Sequence, residues 1–182
     1  MMNNIPNEVS RVTSELEKAG FDAYLVGGCV RDLLLGKEPR DWDITTNALP
    51  DQIISLFSKT FYENSFGTVT IINEAGGATI REIQVTPYRL EGKYSDFRHP
   101  DQISFAKTLE EDLGRRDFTI NALAYSVSKG QLIDLYAGQQ DLAWRSIRAV
   151  GNPTDRFRED PLRILRAIRL ATELGFTINT ET

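Results

Sequence analysis

A pair of glycines between a short apolar run and a helical pattern restricts the fold of this chain more than any other feature. Residues 23–26 are apolar and typical of a short buried strand, and Gly27-Gly28 ends it. Residues 30–35 then follow a helical pattern that stops at Gly36. Glycine lets backbone N–H groups approach an anion closely, and the start of a helix favours negative charge. The segment therefore predicts a strand, a phosphate-binding turn and a helix.

Two acidic residues follow in a second predicted strand, residues 42–45. Asp41 and Asp43 stand two positions apart, so both carboxylates project from the same face. Such oxygen ligands suit Mg²⁺, and two ions roughly 3.5–4 Å apart can activate a hydroxyl and neutralise a leaving group. Arg31 can add a contact to a phosphate oxygen. Taken singly, the glycine pair is more often just a tight turn, two acids so spaced are more often a solvated strand end, and Arg31 and Asp32 could simply form a surface pair.

The order and spacing of these residues are more informative than each one alone. Residues 27–36 and 41–46 resemble the signature of class II CCA-adding enzymes and bacterial poly(A) polymerases, in the polymerase-β-like nucleotidyltransferase superfamily. The resemblance continues to the end of the chain. It implies an enzyme that adds C and A from CTP and ATP to the 3′ end of tRNA without a template and releases pyrophosphate. It further implies catalytic, Mg²⁺-binding roles for Asp41 and Asp43, and nucleotide binding by Gly27, Gly28 and Arg31.

A second motif, residues 110–122, resembles the part of that family that recognises the ribose. The resemblance implies that Arg116 and Asp117 engage the sugar hydroxyls and the triphosphate, with Asn121 in support. Asp117 would accept from a 2′-hydroxyl and so select ribonucleotides. Residues 118–125 have a helical pattern, so Asp117 is also a reasonable helix N-cap, and the two roles are compatible.

The third motif, residues 158–169, is first of all a strong helix signal. Asp160 is predicted as the N-cap and Pro161 as the first helical residue. The pattern predicts a helix over residues 161–174. A core stripe is expected at Leu162, Leu165 and Ile168.

The same segment resembles the family motif that serves as a protein template for the incoming base. The resemblance implies that Asp160 accepts from an exocyclic amine and that Arg163 donates to a ring nitrogen or carbonyl. A wrong base would then leave buried polar groups unpaired. Arg166 and Arg169 would face the triphosphate or the RNA backbone; without the resemblance, these arginines are typical of a solvated basic face.

One departure from the family pattern and two further resemblances bear on the activity. Relatives usually carry Glu where this chain has Gln84, a poor Mg²⁺ ligand; Glu82 is a possible substitute, and otherwise two carboxylates suffice or the site is weakened. Residues 90–100 resemble the flexible loop of enzymes able to add A, with His99 as a loop residue. Residues 64–70 resemble the tRNA enzymes more than the poly(A) polymerases.

The succession of predicted strands and helices indicates the fold class, and the charge and cysteine content bear on the partners and the compartment. We predict an α+β protein: a small mixed β-sheet with helices on one side over residues 1–150, then the start of an all-helical neck domain over residues 151–182. A net charge of −5 is unusual for a protein that grips RNA widely, although residues 145–169 hold seven Arg and three acids. We therefore expect most tRNA contacts in a missing C-terminal part, and an isolated fragment without full activity. A single cysteine and no apolar run of membrane length favour a cytoplasmic protein.

Other functions remain open from the sequence. The nearest are a poly(A) polymerase and an A-only tRNA nucleotidyltransferase. A different class is a non-catalytic nucleotide-binding module, inactivated at Gln84. A helical scaffold, which would bind no nucleotide, is the third.

Overall fold

Helices and strands alternate irregularly along the chain in the computed structural model, which describes residues 4–63, 67–74, 77, 79–91 and 103–182. The helices are α1 Asn7–Lys18, α2 Gly28–Leu34, α3 Pro50–Leu56, α4 Leu109–Gly114, α5 Gly138–Trp144, α6 Pro153–Glu159 and α7 Leu162–Leu174. The strands are β1 Tyr24–Val26, β2 Trp42–Thr46, β3 Thr60–Glu63, β4 Thr68–Ile72, β5 Glu82–Pro87, β6 Arg89–Glu91, β7 Ile103–Phe105, β8 Leu123–Ser126, β9 Gln131–Asp134, β10 Ser146–Ile147 and β11 Thr177–Ile178. A 3₁₀ turn spans Thr119–Asn121.

Seven strands form one mixed sheet in the order β3-β4-β5-β2-β1-β8-β9. Strands β2 and β5 are parallel, and the other neighbouring pairs in this sheet are antiparallel. The predicted α+β class with a mixed sheet is confirmed. The β2–β5 register pairs Asp43 with Gln84, so the acidic strand and the departure from the family pattern lie side by side.

The main core lies between this sheet and helices α1, α2 and α3. Helix α1 contributes Val9, Val12 and Leu16, spaced three and four residues apart on one face. Strand β4 alternates buried and half-buried residues, as a strand with one covered face does. Full burial of one such side chain stabilises the fold by about 2 kcal/mol, so these faces fix where α2 and β2 sit.

Helix α4 packs against a separate, smaller cluster of buried residues. Its Leu113 meets Val26 of β1 and Ala124 of β8, whereas the preceding residues Leu25 and Leu123 belong to the main core. Since successive residues of a strand point to opposite faces, α4 covers the other side of the sheet centre, and the helices do not all lie on one side as predicted. This placement brings the second motif next to the strand that ends at the paired glycines.

The helical prediction for residues 118–125 is wrong. This segment forms the 3₁₀ turn and then strand β8, which lies between β1 and β9. Residues 118–124 are all buried, so their apolar run carries no periodicity that separates a strand from a helix. Pairing on both sides decides for the strand. Strand β3 and helices α4, α5 and α6 were not predicted either.

The predicted C-terminal helix is confirmed as α7, but its buried face is not the predicted one. Arg163, Ala167 and Leu170 are buried, at spacings of four and three. The residues expected in the core stripe are exposed by 41%, 62% and 52%, at Leu162, Leu165 and Ile168 respectively. Residues spaced three apart throughout drift around a helix that has 3.6 residues per turn, so they do not all face the core. Arg163 can be buried in their place because it has polar partners inside.

Two further predictions concern the domain division at residue 150 and the loop over residues 90–100. Ala167, Leu170 and Phe176 belong to the main core, and β11 pairs with β10, so residues after 150 pack closely onto the preceding ones. The division at residue 150 stays a prediction. Most of the loop predicted over residues 90–100, with His99, and residues 64–66 lie outside the described residues.

Candidate functional site

One cavity of about 590 Å³ brings the three sequence motifs together. Its lining includes every site residue predicted from the sequence: Gly27, Gly28, Arg31, Asp41, Asp43, Arg116, Asp117, Asn121, Asp160, Arg163, Arg166 and Arg169. Seven arginines and five carboxylates line it among the residues that the structure describes. Such a mixture suits a ligand with several negative charges held beside a cation.

The first glycine of the pair is required by its backbone and by a close neighbour. Gly27 has φ +79, a conformation that side chains disfavour, and a Cβ there would lie 3.0 Å from Arg116 Nη1. A Cβ on Gly28 would meet Arg31 Nη2 only at 3.7 Å, an ordinary contact. Gly27 therefore lets the guanidinium of the second motif lie against the turn of the first motif.

The two acids lie at the start of β2, on its cavity side. The pKa of Asp43 is raised to about 6, first by burial and then by the negative charge of Asp41, while Arg116 opposes the rise. A buried carboxylate beside another carboxylate is stabilised in its charged form by a cation. The donor set thus fits a divalent ion bound through carboxylate oxygens.

The third position next to this pair is held by an amide. Gln84 lies beside Asp43 in the sheet and lines the cavity. Glu82, the possible substitute, is exposed two residues earlier on β5 and is not among the lining residues. Within the described residues, no group of three or more His, Cys, Asp and Glu side chains is placed to hold a metal. Two carboxylates and an amide are therefore what this strand pair offers a cation.

A chain of hydrogen bonds connects the first motif to the third. Arg31 Nη1 donates to Asn121 Oδ1 at 2.8 Å, and Asn121 Nδ2 donates to Asp117 Oδ1 at 3.3 Å. Arg166 of α7 reaches the other oxygen of Asp117, with Nη2 at 2.7 Å. Arg31 also pairs with Asp32, as the simpler interpretation expected. Asp117 caps no α-helix; its Oδ1 accepts from the N–H of Phe118.

Asp112 is an important residue of the site that the sequence reasoning missed. It is fully buried, and its two oxygens accept from Arg115 Nη2 at 2.7 Å and from Arg116 Nη2 at 3.4 Å. Burial by itself raises the pKa of Asp112, but the charges of Arg115 and Arg116 outweigh it, so the pKa is lowered. Its only signal in the sequence is its position three and four residues before two arginines on a helical segment.

Arg116 is held by this carboxylate but retains donor capacity. Its Nε is buried and has no hydrogen-bond partner among the described residues. Buried donors are normally satisfied, so an acceptor that reaches this atom would gain a charge-assisted bond. This geometry agrees with an anion or a hydroxyl-bearing ligand next to Gly27.

The predicted base-reading pair lies where α6 passes into α7. Asp160 is the C-cap of α6, and Pro161 rather than Asp160 is the N-cap of α7, so the predicted helix start is one residue early. Asp160 Oδ1 nevertheless accepts from the N–H of Leu162 at 2.9 Å. Arg163 is only 6% exposed, lies 3.4 Å from Glu159 and donates to the carbonyl oxygen of Arg115 at 3.3 Å. Arg163 is therefore fixed against the C-terminal end of α4, with its guanidinium at the cavity wall.

Sequence reasoning also missed several lining residues, which come from β4, β5, β6, the end of α4, and α7. They are Thr68, Thr86, Arg89, Arg115 and Glu173. They come close only after the strands pair and α7 folds back, so no local pattern marks them.

A smaller cavity of about 300 Å³, beside α1 and β4, holds none of the predicted residues. Across the described parts of the chain, the helices are too short or too polar to cross a membrane.

Known proteins with this arrangement share a family and a fold. Residues 23–148 match the family described as the poly A polymerase head domain. A CCA-adding enzyme of Levilactobacillus brevis is 48% identical over all of this chain and 45% of its own length. The chain thus spans about half the length of this relative.

Solved structures give the same result. The Bacillus stearothermophilus CCA-adding enzyme in complex with CTP superposes with a TM-score of 0.85 and 37% identity, over 98% of this chain and 42% of that one. A tRNA nucleotidyltransferase complexed with a primer tRNA and an incoming ATP analog gives a TM-score of 0.74 and 32% identity, over 94% and 47%. The family match covers more than half of the residues, and the fold agrees with it. This chain belongs to the poly A polymerase head domain family.

Proposed function

We propose that this chain is the catalytic, nucleotide-binding part of a CCA-adding enzyme. It would transfer C and A from CTP and ATP to the 3′ end of tRNA and release pyrophosphate. The observation that carries the proposal is the single cavity that joins an acid pair, a glycine turn and a cluster of arginines. The likeness to a CCA-adding enzyme solved with CTP, and to a tRNA nucleotidyltransferase solved with a primer tRNA and an incoming ATP analog, supports the choice of substrates.

The residues have distinct roles in this proposal. Asp41 and Asp43 hold Mg²⁺, which supplies positive charge next to the triphosphate and the attacking hydroxyl. Gly27, Gly28 and Arg31 bind the triphosphate. In the transfer itself, the 3′-oxygen of the RNA bonds to the α-phosphorus, the bond to pyrophosphate breaks and the hydroxyl proton is released. Catalysis then consists mainly of positioning and charge neutralisation.

The remaining cavity residues select the nucleotide. Arg116 and Asp117, supported by Asn121, bind the ribose and the phosphates. Asp160 and Arg163 recognise the base, and the burial of Arg163 against the carbonyl oxygen of Arg115, just after α4, supports a fixed donor there. Arg166 and Arg169 complete the positive side of the cavity. We place the reaction in the cytoplasm, where the one cysteine, Cys29, is a buried and unreactive thiol with its pKa raised to about 12 by burial.

A product ladder tests the activity. A tRNA that ends at its discriminator base is offered to the longest form of the protein that carries this chain, with CTP, ATP or both. Two C additions from CTP and a final A when ATP is present are expected. Long A tails would instead indicate a poly(A) polymerase. Failure to extend this tRNA, together with addition of A to a tRNA that already ends in CC, would indicate an A-only enzyme.

An acid-pair variant tests the metal assignment. Asp41→Ala is expected to abolish nearly all transfer while part of the CTP binding survives, because the arginines remain. Asp51→Ala, an exposed acid at the start of α3, is the matched control. Transfer by Asp41→Ala at the rate of the unmodified protein would refute the assignment. Pyrophosphate release that needs a divalent ion excludes the non-catalytic module.

A further inference from the structure

An ion pair between two different motifs lies at one wall of the cavity. Arg166 Nε and Nη2 lie 2.8 and 2.7 Å from the same oxygen, Oδ2, of Asp117. The two residues are 49 positions apart, Arg166 on α7 and Asp117 just before the 3₁₀ turn. The Asp117 side chain is 6% exposed and the Arg166 side chain 52%. A solvent-accessible arginine thus holds a buried carboxylate.

The other oxygen of the same carboxylate is held from the opposite side. Asp117 Oδ1 accepts from the N–H of Phe118 at 2.7 Å and from Asn121 Nδ2 at 3.3 Å. A carboxylate whose two oxygens have different partners has a fixed plane, and so its remaining lone-pair directions are fixed as well. The plane of Asp117 therefore depends on α7 for Oδ2 and on its own segment for Oδ1.

Sugar discrimination depends on such a fixed acceptor. Ribose and deoxyribose differ by one hydroxyl, and a carboxylate gains from that hydroxyl only if a lone pair points at it. Loss of Arg166 would leave Oδ2 without its ionic partner and allow the carboxyl group to turn. Binding of a deoxyribonucleotide would change little, because it makes no such bond.

We propose that Arg166 is a positioning residue for sugar selection: by pairing with Asp117, helix α7 fixes the carboxylate that distinguishes ribose from deoxyribose. This inference rests on the proposed nucleotide-binding function. It gives Arg166 a role distinct from that of a phosphate or RNA contact. The helix expected to read the base would thereby also control the reading of the sugar.

Equilibrium binding of CTP and dCTP in the presence of Mg²⁺ tests the proposal without any need for transfer. The quantity is the ratio of the two dissociation constants. Arg166→Ala is expected to lower the preference for CTP roughly tenfold, the worth of one hydrogen bond to a charged group. Asp117→Asn is expected to lower it by a similar factor, and the double variant no further than either single one.

Two further variants separate orientation from charge and from misfolding. Arg166→Lys keeps the charge but lacks the planar fork, so it should recover only part of the preference for CTP. Arg158→Ala removes an exposed arginine of α6 outside the cavity and should leave the preference unchanged. A circular-dichroism melt of each variant shows that the fold is retained.

The outcomes divide cleanly. Equal weakening of CTP and dCTP in Arg166→Ala, or additive effects in the double variant, would overturn the positioning role while leaving the proposed function intact. If the unmodified protein binds neither CTP nor dCTP, both the positioning role and the proposed function are overturned. Loss of the preference in both single variants, without addition in the double one, supports the proposal.

Discussion

Single side chains determine what this cavity can offer to the proposed Mg²⁺ ion. Burial and the nearby charge of Asp41 both disfavour the charged form of Asp43. Gln84, its neighbour in the sheet, can offer a cation only an amide oxygen. With two carboxylates, a Mg²⁺ ion retains more positions for water and for phosphate oxygens. The affinity for the ion should therefore depend strongly on the bound triphosphate.

Replacement of that amide tests this dependence. Gln84→Glu adds a third carboxylate beside Asp43, so the Mg²⁺ concentration for half-maximal transfer is expected to fall severalfold. A Mg²⁺ titration of nucleotide transfer measures the change. Glu82→Gln, on the same strand but outside the cavity lining, should leave the titration where it was. An unchanged or higher Mg²⁺ requirement in Gln84→Glu would contradict the assignment of this strand pair to the metal.

At the scale of elements, α4 carries one buried acid that connects four segments. Asp112 accepts from Thr45 of β2, from the N–H of Arg89 at the start of β6, and from Arg115 and Arg116 beyond the end of α4. Replacement of one partner of a buried pair leaves the other charges without compensation. The position of Arg116 at the glycine turn thus depends on a residue that need not touch the nucleotide.

The stability of an Asp112→Asn variant should depend on pH in a definite direction. Because the pKa of Asp112 is lowered in the folded state from its ordinary value of 3.8, its charge stabilises the fold above that value. The contribution is lost as the pH falls through the lowered pKa. The variant should lose roughly 3 kcal/mol of unfolding free energy at pH 7, and the deficit should shrink in strong acid. Urea denaturation at both pH values measures it; a deficit independent of pH would contradict the ion-pair account.

Close packing between α5 and the 3₁₀ turn gives a second test at this scale. A Cβ on Gly138 would overlap the carbonyl oxygen of Thr119 and lie 3.0 Å from Leu123 Cδ2. Because backbone cannot move away cheaply, Gly138→Ala is expected to destabilise the fold by about 2 kcal/mol or more. Thermal denaturation measures this, with Gly77→Ala as the control, since a Cβ at Gly77 meets nothing within 4 Å. Equal melting temperatures would show that the turn relaxes.

At the scale of the whole molecule, the cluster of basic residues late in the chain is largely used for internal contacts. Arg148 pairs with Asp141, Arg156 with Glu159, and Arg166 with Asp117. Arg145 donates to the carbonyl oxygen of Gly175. The net charge of −5 then leaves little positive surface for a long nucleic-acid backbone.

Residues 1–182 alone should accordingly bind nucleotides better than tRNA. We expect the dissociation constant for CTP with Mg²⁺ to be at least roughly tenfold lower than that for tRNA at physiological salt, where exposed charge contacts are screened. Fluorescence titrations with both ligands give the comparison. A steep salt dependence with tighter binding of tRNA would contradict this expectation and indicate a basic surface on the chain itself.

Part of this cavity could be predicted from local sequence patterns and part only from the resemblance to a known family. The glycine pair and the acids at 41 and 43 are recognisable because spacing along a strand determines which side chains share a face. The roles of the arginines in the later motifs came from the resemblance, because their spacing alone is typical of a solvated basic face. Helix α7 and strands β1 and β2 were predicted from their apolar runs together with the glycine, capping and proline residues at their ends.

What only the tertiary structure decided are the contacts between segments distant in sequence. Residues 118–125 became a turn and strand β8 because β1 and β9 pair with them, against their helical pattern. The buried side of α7, the fixed carboxylate of Asp112 and the pairing of Arg166 with Asp117 depend on which elements meet. Local patterns reflect the geometry of a single helix or strand. Burial and ion pairing depend on which distant segments pack against it, and local sequence does not determine that.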